Sequence, residues 1–76
     1  SNGFRKGDLM NYLIEALTKR LEGEIEVAKA NIQVYMKNSA GIGEHPDIIG
    51  AIETEIVKIA EAEDKLMVCR EHFRYK

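Results

Sequence analysis

A ten-residue break, Asn38-Ser39-Ala40-Gly41-Ile42-Gly43-Glu44-His45-Pro46-Asp47, interrupts an otherwise continuous helical pattern. It constrains the fold more than any other feature. It holds two of the six glycines and the only proline, the residues that most strongly punctuate helices. Long amphipathic segments lie on both sides, and two helices joined by a short turn fold back on each other. The chain therefore reads as all-α, an antiparallel two-helix hairpin. Asn38 or Gly41 suits the left-handed conformation that ends a helix, and Gly43 allows a further turn. Ile42, between the glycines, is expected to plug the end of the core. Pro46 fits the first position of the second helix, with Asp47 facing the positive end of the dipole.

Asp8 is the expected N-cap of the first helix, ahead of Leu9. The single domain then spans about residues 8–76, with helices over about 8–38 and 46–73 and a loop over about 39–45. Helices of about 28–30 residues would run roughly 42–45 Å. Residues 1–7 lack periodicity and are expected to be disordered or an added tail. Ser1-Asn2 resembles the remnant of a cleaved tag and Met10 a natural start, so Ser1–Leu9 carry no functional argument.

In the first helix the apolar positions run Met10, Ile14, Leu17, Leu21, Ile25, Ala28, Ile32 and Met36, with Leu13 and Tyr35 on one flank. Met10, Leu21 and Ile32 stand eleven apart, as do Ile14, Ile25 and Met36. That period predicts a nearly straight helix rather than a heptad seam. Glu15 with Lys19 and Arg20 with Glu24 are outward pairs at helical spacing. Gly23 costs about 1 kcal/mol relative to alanine in mid-helix; it reads as a tolerated surface glycine or as a close crossing point with another helix.

The second helix carries Ile49, Ile52, Ile56, Ile59, Leu66 and Phe73 on one face, with Ala62 and Cys69 in intermediate turns. Ile48, Val57, Ala60, Met67 and Val68 broaden the stripe, and Arg70, Arg74 and Lys76 complement the dipole. A turn near residue 42 places positions summing to roughly 80 at one height. Ile52, Ile56 and Ile59 are then expected against Leu17, Leu21 and Ile25, with Glu55 on the charged side. The stripe is wider than one antiparallel neighbour covers. A chain of 76 residues also buries only about 60% of its unfolded surface. Together these predict an interface of Ile49, Ile52, Ile56, Ile59, Leu66 and Phe73, through which two hairpins pair as an isologous homodimer and four-helix bundle.

Eleven basic and thirteen acidic residues give a net charge of −2, interleaved in sign. No basic stripe of the kind that phosphate backbones require is built, so nucleic acid is an unexpected partner. The alternative from another class is a small nucleic-acid-associated regulator whose dimer presents Lys19, Arg20 and Lys29. Cys69 is the only cysteine, which excludes a disulfide within the chain and, without a signal-peptide pattern, favours a cytoplasmic setting. No apolar run approaches the roughly 20 residues that span a bilayer.

The motifs for chemistry are thin. Gly41-Ile42-Gly43 precedes a helix, but no strand, third glycine or Gly-Lys-Ser/Thr accompanies it, and Glu44 and Asp47 would repel an anion. A di-iron bundle needs Glu-x-x-His; Ile42 stands three before His45 and Cys69 three before His72. Cys69 and His72 share a helix face, and a dimer could join two such pairs around zinc, yet a lone cysteine on an apolar stripe reads more simply as core. Cys69 lacks an acid–base pair for nucleophilic work, with His45 roughly 40 Å away along the helix. His45 reads as an N-cap or exposed loop residue, and Glu61, Glu63 and Asp64 as a solvated face. No catalytic, metal or cofactor residue is assigned, and an enzyme is not expected.

Ala28-Lys29-Ala30-Asn31-Ile32, then Gly41-Ile42-Gly43-Glu44-His45-Pro46-Asp47-Ile48, then Ile59-Ala60-Glu61-Ala62-Glu63-Asp64-Lys65-Leu66, resemble small helical proteins of tailed bacteriophages, including phages of cyanobacteria. The resemblance covers Met10 to about Leu66. It implies a viral origin, and with it a host cytoplasm, but transfers no activity and no site residues. The reading that follows is a non-enzymatic interaction or structural module, an accessory protein that binds itself and a host or viral protein.

Overall fold

The computed structural model describes residues 6–38 and 47–74. These form two helices, α1 (Lys6–Asn38) and α2 (Ile48–His72), packed against each other as an antiparallel hairpin. There is no strand among the described residues. The expectations for Gly41, Ile42, Gly43, His45, Pro46 and Lys76 lie outside them.

Both helix starts differ from expectation. α1 begins at Lys6, so Asp8 stands within the first turn rather than ahead of it. α2 begins at Ile48, and Asp47 is its N-cap, its carboxylate accepting the Gly50 N–H at 2.9 Å. A side-chain acceptor for one orphan N–H is a stronger local device than a charge inside the first turn. At the other end of α1, the Asn38 side chain donates to the Val34 carbonyl at 2.9 Å.

The core is narrow. Leu21, Ala28, Ala62, Leu66 and Cys69 are its buried apolar residues, and Ile14 and Ile25 pack against Leu21, Ala62, Leu66 and Cys69. The half-buried and buried positions of α1 are Ile14, Thr18, Leu21, Ile25, Ala28, Asn31, Ile32 and Tyr35. Asn31 apart, their steps alternate four and three, so burial follows a seven-residue repeat, the period that keeps two helices in contact along their length. This corrects the eleven-residue reading: Met10, Leu17 and Met36 are exposed, and Thr18 and Tyr35 stand inside.

On α2 the half-buried and buried positions are Ile48, Gly50, Ala51, Ile52, Glu55, Ile59, Ala62, Leu66 and Cys69. Ile49 (81% exposed), Ile56 (50%) and Phe73 (47%) lie outside the seam, while Glu55 is 5% exposed. The expected burial of Ile56 within the hairpin, with Glu55 on the charged side, is therefore reversed. The cause lies in the columns that share Ile52, Ile59 and Leu66. Continuing Ile49 and Ile56 by sevens reaches Glu63 and Arg70, two charges; continuing Ile48 and Glu55 reaches Ala62 and Cys69. The observed choice buries one charge instead of two, and burying charge is the dominant penalty.

The register is corrected as well. Asn31 would face Ile49 in the expected alignment but bonds Glu55, more than a turn further along α2. Arg70 reaches Glu22 at 3.6 Å near the other end. The smallest principal extent is 15 Å, little more than the width of one helix. The hairpin is a single layer, and each helix has one neighbour where stable domains give it two or more.

Candidate interaction surface

One side of the hairpin carries a groove of about 530 Å³ between the helices. Arg20, Glu24 and Val27 form its α1 wall, Lys58 and Lys65 its α2 wall, and Ala28 and Ala62 lie between them. The small floor residues let the two helices approach closely and leave the space above them open. Gly23 also lines it, and a Cβ placed there would meet nothing within 4 Å. The hairpin itself therefore gives no reason for a glycine at this position.

A polar cluster around the buried Glu55 carboxylate anchors one end of the groove. The Asn31 amide donates to one Glu55 oxygen at 3.0 Å, and the Lys58 ammonium donates to the other at 3.0 Å. The Asn31 hydrogen bond, then that from Lys58, holds the Glu55 carboxyl below its ordinary value of 4.5, against an opposing push from desolvation. Each carboxylate oxygen thus has a partner, and no buried side-chain polar atom among the described residues is left unsatisfied. The cluster gives the seam one polar layer, a device that fixes alignment more than it adds stability. Sequence reasoning missed it because Glu55 was assigned by its charge; the signal lay in comparing what each seven-residue column of α2 would bury.

The residues expected to form an interface divide in two. Ile52 and Ile59 are half-buried and Leu66 is buried, all inside the hairpin. Ile49, Ile56 and Phe73 remain at the surface. Ile49 and Ile56 share the outer flank of α2 with Met67, which is likewise exposed. A second set of exposed apolar side chains lies on α1: Met10, Leu13, Leu17, Val27 and Val34. Their spacing puts them in the same two columns as Arg20, Glu24 and Asn31, so they continue the groove wall along the helix.

The chemistry-bearing residues do not converge. Cys69 is buried in the core cluster, whereas His72 is exposed, 3.9 Å from Glu71 and edge-on to the Phe73 ring. Among the described residues no group of three or more His, Cys, Asp or Glu gathers as for a metal ion, and no helix is long and apolar enough to cross a membrane. Lys29 pairs with Glu26 at 3.2 Å and Arg20 with Glu24 at 3.5 Å. Lys19 and Arg20 are neighbours on a helix and so diverge by about 100°, which leaves no basic stripe with Lys29. Comparison with known proteins finds no matching family model, curated relative or solved structure.

Proposed function

We propose that this chain is a non-enzymatic helical interaction module, a viral accessory protein in the sense its resemblance implies. It pairs with itself into a four-helix bundle and binds a further protein through the helix flank left over. The observation that carries the reading is the excess of exposed surface. The chain exposes 6326 Å², against about 4,700 Å² for a compact monomer of 8.6 kDa. Leucine, isoleucine, valine and methionine side chains are exposed along both helices, and apolar flanks of this kind mark interaction sites. A standard interface covers about 800 Å² on each partner, which the excess readily supplies.

Light scattering at micromolar concentration tests the self-pairing. The expected mass is twice 8.6 kDa. A mass of one chain, together with an unfolding midpoint that does not change on dilution, overturns it. For the second partner, affinity capture with the wild-type chain is compared with capture by Ile49→Asp/Ile56→Asp. A protein retained by the first and lost with the second supports the reading; equal retention by both counts against it.

A further inference from the structure

We propose that the second copy lies antiparallel along the groove flank of α1, with a two-fold axis passing between Arg20 and Glu24, beside Gly23. The inference rests on the self-pairing put forward above and names the surface that carries it. The flank is made of Met10, Leu13, Leu17, Arg20, Glu24, Val27, Asn31 and Val34, whose steps alternate three and four symmetrically about the middle one. Turning such a row end for end sets Met10 against Val34, Leu13 against Asn31, Leu17 against Val27 and Arg20 against Glu24. Met10 with Val34 and Leu17 with Val27 are then apolar on apolar, opposite charges meet at the centre, and Leu13 meets Asn31, whose amide is turned to Glu55. A row chosen at random has no reason to be self-complementary, and isologous contact demands that it be so.

Three observations converge on this flank. Met10, Leu13, Leu17, Val27 and Val34 are exposed in the hairpin, Val27 by 63%. Gly23 sits beside the central charged layer in ordinary helix, with open space where a side chain would be. A mid-helix glycine weakens the helix by about 1 kcal/mol relative to alanine, and the close approach of a second backbone gives it a purpose. Arg20 and Glu24 already lie 3.5 Å apart within one chain, both exposed, so the axis turns one ion pair into a four-charge ring. The outer flank of α2, with Ile49 and Ile56, stays free for another partner.

Charge reversal tests the axis directly. Arg20→Glu makes both central positions acidic and Glu24→Arg makes both basic, so each variant alone sets like charges against each other in both layers. Each is expected to self-associate about tenfold more weakly, or worse, while circular dichroism reports unchanged helix content. Mixed in equal amounts, the two should recover a mass of twice 8.6 kDa, since acidic positions of one chain then face basic positions of the other. Ile56→Asp should leave the wild-type mass unaltered. If both charge variants dimerise as the wild type does, or if Ile56→Asp separates the chains, the surface is wrong while self-pairing stands. A mixture that stays monomeric overturns the antiparallel register. A wild-type chain that is monomeric throughout overturns both the surface and the self-pairing.

Discussion

Asp47 and Gly50 act together at the start of α2. The Asp47 carboxylate accepts the Gly50 N–H, and a Cβ on Gly50 would run into that same carboxylate. Loss of such a cap costs about 0.5–2 kcal/mol, and Asp47→Ala should lower stability by that amount in urea titration. Gly50→Ala should also destabilise, although alanine is the better helix former, because the new methyl displaces the cap. In the Asp47→Ala background the sign should reverse, with Gly50→Ala gaining up to about 1 kcal/mol. Equal effects in both backgrounds would show that the collision is not what selects glycine. Glu55 gives a second residue-scale expectation. Its carboxyl is held below 4.5, so the unfolded chain binds the proton more readily than the folded one. Its contribution is full above the unfolded value and is lost as pH falls through the folded value, below about 4.5. The urea midpoint should therefore fall in that acid range. Glu55→Gln, which keeps an acceptor for Asn31, should flatten the fall; an unchanged slope would mean that other carboxylates govern it.

Both helices were legible in the sequence to within a few residues at their ends, because long amphipathic runs flanking a glycine-proline break admit little else. Which face each helix turns inward was only half legible. Ile52, Ile59, Leu66, Leu21 and Ile25 belong to any apolar stripe drawn through these segments, and they pack where such a stripe puts them. Ile56 and Glu55 trade places relative to a residue-by-residue hydrophobic stripe because the penalty is set by a whole column. The same competition moved Leu17 outward and Thr18 inward on α1. The flank proposed for pairing was harder to see, since its members change meaning only once the inner seam has claimed its own. Core truncations check this assignment. Leu66→Ala should cost about 2–5 kcal/mol, the usual range for a buried leucine. Ile56→Ala should stay within about 1 kcal/mol, as for other exposed positions. An Ile56→Ala loss as large as that of Leu66→Ala would return Ile56 to the core.

At the scale of the whole molecule, a radius of gyration of 18.0 Å compares with about 11 Å for a compact chain of this length. A rod one layer thick has many ways to slide against itself or a neighbour, because an apolar seam repeating every seven residues is nearly as good one heptad along. The Asn31–Glu55–Lys58 cluster removes that freedom: any slipped register keeps Lys58 on Glu55 but takes away the Asn31 donor, and a buried acceptor left without its partner is penalised. The cluster then limits stability and secures a single alignment, and replacing it should separate the two properties. Asn31→Leu/Glu55→Leu removes both partners at once and extends the apolar seam, an exchange that is often neutral or stabilising. The double variant should melt at or above the wild-type temperature. It should also elute from a sizing column as more than one species, since slipped and higher-order pairings lose their penalty. A lower melting temperature with a single sharp species would mean that the cluster holds the hairpin together by strength rather than by exclusion.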